Sequence, residues 1–560
     1  MKSYNIEKKN NYEKILPIPT LIILSLIFLI PLINTLSMAF LKDGNFTSDF
    51  IKEAFTSSYT RQILRFTINQ ALVSTLLCLV IGLPGAYLLS NYDIKGKKII
   101  LGICAIPFVL PSILVILGFV SFYGNNGFLN QLLMSLFNLE EPPLRILYSY
   151  QAIILAHAFY NFPVILLLIT TYWDNLDPKY EMASYVFGAT RTQTFFNVTL
   201  RRILPSILSS SLLVFLFCFT SFSIILVLGG GPKYTTMEVE IYRRARIGMD
   251  MNGAAAYSIV SIVFCIILLI LYLGSQKLIS SSDSVVSSTY QKNKQPTSKT
   301  GRLFSNLYFT ITGLFILAPI LSIVLKSCFA TVSRSSQKVF TLKYYKQLFG
   351  MQASSGVMND ATPAILTSLK IAIIVGLLTV PIVLSLSVAT KRKDSLSSNL
   401  IELIGMLPLA ISSVIIGLGY YLIAAKVPAL SGTTMVVLAH LVIALPFALR
   451  IITPELDKLP DTLSQSAMTL GATPFRAFVD IELPLIKNAL IKAAIFSFAT
   501  SMGEINATLI LSSSKIVTIP IVMYRLIGSY NFAGASALGT ILIVVCAIVF
   551  ISTSKGEKVR

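Results

Sequence analysis

One polar, helix-forming stretch occurs twice in this chain of 560 residues, and the repeat sets its organisation. YEMASYVFGATRTQTFFNVTLRRILP (180–205) is matched, 283 positions on, by LSQSAMTLGATPFRAFVDIELPLIKN (463–488). Gly188-Ala189-Thr190 returns as Gly471-Ala472-Thr473, Phe195 as Phe478 and Leu200 as Leu483. The same shift carries Pro163 onto Pro446 and His157 onto His440, and the chain has no other histidine. One offset serving so many unlike residues marks an internal duplication with a polar island in each copy.

The islands sit among long apolar runs. At 54% hydrophobic and 12% charged residues, with mean hydropathy +0.76, the chain lies far from soluble composition. The runs reach the roughly 20 residues that cross a bilayer core. Six are expected in the first half, at 15–40, 66–90, 99–123, 148–171, 204–228 and 252–274. Six more follow at 303–330, 364–390, 400–425, 435–452, 488–511 and 533–552. The fold expected is an all-α polytopic membrane protein of twelve helices, two tandem six-helix domains in one orientation. The first domain is 1–274, with its island loop at 172–203. A Ser-, Lys- and Gln-rich linker follows at 275–302, and the second domain is 303–560, with its loop at 453–485. Pro408 and Gly419 match Pro107 and Gly118 at an offset of 301, so an outer loop of the first half is 18 residues longer.

The net charge of +20 comes from lysines and arginines beside apolar runs, such as NYDIKGKK (91–98) and KRKD (391–394). That is the pattern of membrane topology rather than of nucleic-acid binding. It places both islands, the linker and both termini in the cytoplasm. RRAR (243–246), in an expected outer loop, runs against this rule. The six cysteines lie in or beside apolar runs without paired spacing, which points to neither disulfides nor a metal site.

Within the spans, ionisable groups are few. Glu504, in SMGEINATL, falls inside the eleventh, where a carboxylate is costly unless it pairs or meets water. It is the leading candidate for a cation-attracting group on a translocation path, with packing partner as the alternative role. Its first-half counterpart is Ser221 or Phe222, both uncharged. Asn506 and Asn161 are lesser pathway candidates. His157 and His440, one per half, read as hydrogen-bonders between packed helices.

The islands resemble the EAA loop of the membrane subunits of binding-protein-dependent ABC importers of the type I fold. Aligned on the glycines, Met182-Ala183-Ser184 and Gln465-Ser466-Ala467 take the Glu-Ala-Ala positions. The leading glutamate is absent from both, although Glu181 lies one residue early. Leu483-Pro484 keeps the family's Leu-Pro, where the first island has Leu200-Arg201. LVLGGGPKYTTMEVEIYRRA (226–245) and SMGEINATLIL (501–511) are similar to fused permeases for ferric iron and for thiamine. The resemblance implies ATPase coupling through Met182, Ala183, Ser184, Gly188 and Phe195 in the first island. In the second it implies Gln465, Ser466, Ala467, Gly471 and Phe478.

It further implies a bacterial inner-membrane permease that moves a small cationic solute delivered by an extracytoplasmic binding protein. Two copies of a cytoplasmic ATPase subunit would carry the ATP and magnesium. No cofactor or catalytic role is expected of this chain, which contains no G-x-x-x-x-G-K-[ST] loop. The rival readings are an ion-gradient-driven transporter, which would carry more intramembrane charge, and a membrane enzyme, which would need clustered His, Asp or Glu.

Overall fold

The computed structural model describes residues 17–42, 44–282, 298–331, 338–353, 356–391, 396–427, 432–512 and 516–554. The N-terminal lysines, most of the linker, most of KRKD and the basic tail lie outside the described residues. In hydrocarbon, backbone N–H and C=O groups have no water to turn to, so runs of this composition close their hydrogen bonds within helices. Among the described residues nine helices are long and apolar enough to cross a membrane, or eleven if two bent pairs each count as one. The first expected span is a shorter apolar helix, Ile22–Met38, so length and composition alone stop short of the expected twelve.

Both halves pack alike. Ser58–Asn91 lies along Tyr150–Asp174 in the first, and Ala361–Lys391 along Thr433–Asp457 in the second. Each half also carries a small antiparallel hairpin after its first helix, Leu41–Lys42 with Asn45–Phe46 and Phe329–Thr331 with Lys338–Phe340. The sequence reading gave both segments as plain loops or span ends. Most of the first half's extra loop residues form the helix Phe128–Phe137. Asn130 fastens it, donating to the Gly124 and Leu144 carbonyls at 2.9 and 2.8 Å and accepting from the Leu144 N–H at 3.0 Å.

The halves are interlocked, because each sends its first helix onto the other. Ile30–Met38 packs on Ser413–Lys426, and Lys299–Cys328 packs on Ser112–Tyr123. Small residues at membrane helix crossings let backbones approach closely, and Gly419 and Gly118 are those residues. A Cβ on Gly419 would stand 2.6 Å from the Pro31 carbonyl oxygen, and one on Gly118 3.1 Å from that of Pro319. Pro31 has no N–H to offer the carbonyl four residues back, that of Ile27. The Tyr420 hydroxyl of the other half donates to that carbonyl, so the proline's missing bond is made across the interface.

Each arginine of RRAR has a partner, local for Arg243 and Arg244 and in the other half for Arg246. Arg243 and Arg244 pair with Glu240 at 2.9 and 3.0 Å, and Arg244 with Asp250 at 2.9 Å. Arg246 donates to the Ser512 carbonyl of the other half at 3.2 Å and lies over the Tyr421 ring, 5.2 Å from its centre. Arg243 and Arg244, paired with carboxylates, carry little of the topological signal that loose cations would.

The crossing geometry ranks two substitutions. Gly419→Ala forces a backbone shift against Pro31, and overpacking of this kind costs about 1–3 kcal/mol. Gly118→Ala meets a looser contact. Thermal unfolding of the purified protein should therefore show a clear fall in midpoint for the first and a smaller one for the second. Equal midpoints for both variants and the parent chain would contradict the interlocked crossing.

Candidate functional site: a central cavity and two paired hairpins

Each island folds as a helix–turn–helix hairpin whose turn is the repeated Gly-Ala-Thr. Lys179–Val186 ends in a left-handed residue, Gly188 at φ +82°, and Asp461–Thr469 ends likewise at Gly471, φ +97°. Ala189 N–H bonds to Ser184 O and Ala472 N–H to Ala467 O, both at 3.0 Å. Gly188 and Gly471 close the shorter bonds to Tyr185 and Met468. This is the helix stop that glycine favours, because a side chain is strained at positive φ. The threonine then caps the next helix: Thr190 Oγ1 accepts from Gln193 N–H and Thr473 Oγ1 from Arg476 N–H.

A glutamate ties the two helices of each hairpin, from opposite sides in the two copies. In the first island Thr199 donates to Glu181 at 3.0 Å, and in the second Ser464 donates to Glu482 at 2.5 Å. The offset of 283 turns Glu181 into Ser464 and Thr199 into Glu482. The same bond is kept with donor and acceptor exchanged.

The sequence-derived coupling residues divide by exposure. Met182, Ala183, Gly188, Gln465, Ser466 and Gly471 are exposed, whereas Ser184 and Ala467 are half-buried. Ser184 is tied to Thr194 at 2.7 Å. Phe195 and Phe478 turn inward: Phe195 packs on Tyr87 and Trp173, and Phe478 on a cluster of Val388, Leu456 and Ile486. Both are half-buried, and they seat the hairpin on the membrane helices. The apolar tips that the sequence reading missed are Phe187 and Leu470, equated by the offset and 89% and 90% exposed.

The second feature is a cavity of about 250 Å3 between the halves. Four helix breaks meet around it. Lys97–Val109 gives way at Pro111 to Ser112–Tyr123, and Leu200–Phe219 gives way to Ser223–Leu228. In the second half Leu396–Ala410 gives way to Ser413–Lys426, with Ile404–Ala410 bent by 104° from it, and Lys487–Gly503 to Asn506–Leu511. Pro111, Ser221, Ser412 and Glu504, one from each break, line the cavity. Matching the breaks settles the open counterpart of Glu504 as Ser221. The pairing extends outward, since Ser223 donates to Ser112 at 2.8 Å and Asn506 to Ser413 at 3.0 Å.

Both histidines stand behind these breaks with both ring nitrogens engaged. His157 contacts Ser221 at 2.8 Å and Ser74 at 3.2 Å. His440 contacts Thr508 at 2.8 Å and Ser501 at 2.9 Å. His440 brackets its break and His157 ties its own to Ser58–Asn91, the packing role expected of both.

Glu504 is half-buried at the cavity wall. Its Oε1 accepts from the Ala507 N–H at 3.0 Å, so the carboxylate caps the helix that restarts beyond the break. The Ser413 hydroxyl also bonds to it. No basic side chain pairs with it among the described residues. Asn161, 2% exposed, also lines the cavity, and its Oδ1 has no hydrogen-bond partner among the described residues. Asn506 Oδ1 is unpartnered too. The structure thus gathers all three pathway candidates at one cavity, with acceptors to spare. Around them stand the rings of Tyr160, Phe217, Phe222, Phe447 and Phe496.

One residue escaped the sequence reading altogether. Glu238, in an expected outer loop, is fully buried on the short helix Met237–Tyr242. The signal was in the repeat: at an offset of 282, the one that carries Tyr242-Arg243 onto Tyr524-Arg525, Thr236 matches Thr518 and Glu238 stands where the second copy has Pro520.

Comparison with known proteins fits this arrangement. The binding-protein-dependent transport system inner membrane component family matches residues 79–280 and again 372–554. The thiamine transport system permease protein of Brucella abortus is 28% identical over 90% of this chain and 89% of its own length. That of Escherichia coli is 26% identical over 90% of each. A putative ferric transport system permease protein of Haemophilus influenzae is 26% identical over 89% of this chain and 78% of its own. Among solved structures, a bacterial ABC transporter involved in alginate import matches 49% of this chain and 96% of its own, at 22% identity and TM-score 0.40. With the family matched once in each half, around both islands and all four breaks, this chain belongs to the inner-membrane components of binding-protein-dependent transport systems.

Proposed function

We propose that this chain is the fused permease subunit of an ATP-driven importer and that its cargo is a small organic cation of the thiamine kind. Cargo arrives from an extracytoplasmic binding protein. Two copies of a cytoplasmic ATPase subunit grip the two hairpins and reverse the access of the cavity as they close and open. The hairpins support the double ATPase, because two like partners need two like seats. A transporter driven by an ion gradient would have no use for them.

The observation that carries the cargo class is Glu504, one carboxylate without a basic partner at a cavity walled by aromatic rings. A cation over an aromatic face gains about 0.5–2 kcal/mol, more when desolvated. The unpartnered oxygens of Asn161 and Asn506 would accept hydrogen bonds from an amino-substituted ring. A ferric ion, the other cargo among the relatives' names, would want several hard oxygen ligands rather than phenyl rings. Glu504 would supply the charge, and Asn161 and Asn506 the orientation.

The test is uptake of labelled thiamine and of ferric iron by vesicles holding the complete transporter. Thiamine should accumulate with ATP, and Glu504→Gln should cut its uptake ten-fold or more while the ATPase subunits stay bound. Iron uptake without thiamine uptake would overturn the cargo class. Loss of the complex in step with uptake would make Glu504 a packing residue.

Coupling through the hairpins has its own signature. Both turn glycines have open space around them, with nothing within 4 Å of a built Cβ. Strain at positive φ alone costs about 1 kcal/mol, so Gly188→Ala and Gly471→Ala should weaken ATP-driven uptake modestly. Gly188→Leu and Gly471→Leu should weaken it much further, because the added bulk meets the partner. Membrane insertion should not change. Wild-type uptake in the double leucine variant would rule out docking at these turns.

A further inference from the structure

Glu238 presents a problem that the proposed mechanism leaves unused. Its side chain is wholly buried, and no basic group pairs with it among the described residues. The nearby arginines are taken by Glu240 two residues on. Two hydroxyls donate to Glu238 instead. Ser261, from the same half, does so at 2.8 Å, and Ser412, from the other half, binds the second carboxylate oxygen. A buried carboxylate held only by hydroxyls is expensive, and in a membrane protein such a group is kept for a function more often than for stability.

Ser412 is no ordinary partner. It stands at the bend between Leu396–Ala410 and Ser413–Lys426 and caps the second piece, accepting from the Ile415 N–H at 3.3 Å. It also lines the central cavity. Its neighbour Ser413 bonds to Glu504. Consecutive hydroxyls at one helix break are therefore tied to carboxylates from opposite halves. At the matching break of the first half Pro111 replaces Ser412 and packs on Gly503, where a Cβ would stand 2.6 Å from Pro111 Cγ. The polar tie exists on one side only. Asn161, with its buried and unpartnered oxygen at the same cavity, is an independent sign that a donor-bearing ligand belongs there.

We propose that Glu238 is a second cargo-binding carboxylate, masked by Ser412 in this conformation and uncovered to the cavity when the bend at Ser412 shifts. The inference rests on the reading that the cavity carries a cation. Cargo entering the opened cavity meets Glu238 of the first half, and Glu504 of the second holds it once Ser412 covers Glu238 again. Closing the mask returns the Ser412 hydroxyl to Glu238, beside that of Ser261, and expels the cation from it, so the charge is never left bare. The tie also accounts for the one-sided distribution of charge: Glu238 and Glu504 lie in different copies and meet at a single break.

Two measurements on the complete transporter test this. In a chain stripped of its native cysteines, Glu238→Cys should resist a small cationic thiosulfonate without nucleotide and react at least ten-fold faster with ATP trapped on the ATPase. Glu238→Gln keeps the shape and should raise the KM for thiamine uptake about ten-fold, the loss of one charge-assisted contact, without loss of ATPase subunits. A thiol at 238 that stays unreactive in both states makes Glu238 a fixed structural group and overturns the proposal. So does a KM for Glu238→Gln equal to that of the parent chain. Should Glu238→Cys fail to assemble, the KM of Glu238→Gln decides alone. The underlying reading fails separately, through unchanged uptake in Glu504→Gln, and the labelling of Glu238→Cys does not depend on that result.

Discussion

Every helix that breaks inside a membrane leaves backbone groups that lipid cannot satisfy, each costing several kcal/mol. This chain concentrates four such breaks at one place and satisfies them with short polar side chains. Ser412 caps one restart and Glu504 another. Thr508 and Thr220 return their hydroxyls to the Glu504 and Leu216 carbonyls at 2.8 and 2.9 Å. Serines and histidines brace the breaks from behind. A cavity with polar walls follows from these repairs, because irregular backbone at membrane depth is tolerated only inside protein or beside water. The site and the fold therefore have one cause.

Interlocking makes the breaks a joint property of both halves. Each first helix leaves its own copy and packs on the other through Gly118 or Gly419, so neither half can tilt without carrying part of its partner. Each hairpin is anchored to its own half, Phe195 on Trp173 and Phe478 on Leu456. Force applied at Phe187 and Leu470, the exposed tips, would reach the breaks through the helices on which the hairpins are seated. The duplication supplies two like hairpins, while Glu238 and Glu504 depart from that symmetry around the cavity.

Much of this was legible in the sequence. The apolar runs, the copies and the Gly-Ala-Thr turns rest on local pattern, and local pattern survives into structure because helix stops and caps depend on neighbours in the chain. The hairpin glutamates are legible in part: Glu181 stands out beside the island motif, but its exchange with Glu482 needs the contact between the hairpin's two helices. The inward turn of Phe195 and Phe478 was hidden for a similar reason, since an exposed and a seated phenylalanine look alike in sequence. The two small hairpins are too short for any periodicity to register. Glu238 was read as a loop residue because its helix of six residues is too short for an apolar-run test. The crossed first helices were out of reach, because partners nearly 400 residues apart, such as Ile27 and Tyr420, leave no local trace.

The account stands on the hairpins and the cavity moving as one device. Spin labels can be placed at Asn197 and Asp480, exposed and equated by the offset, and at Ile247 and Val427 at the opposite ends of the two halves. Distances are then measured in the complete transporter with and without trapped ATP. The account predicts that the hairpin pair draws together while the opposite pair separates, both within the same population of molecules. Hairpins that close with no change at Ile247 and Val427, or four labels that do not move, would contradict it.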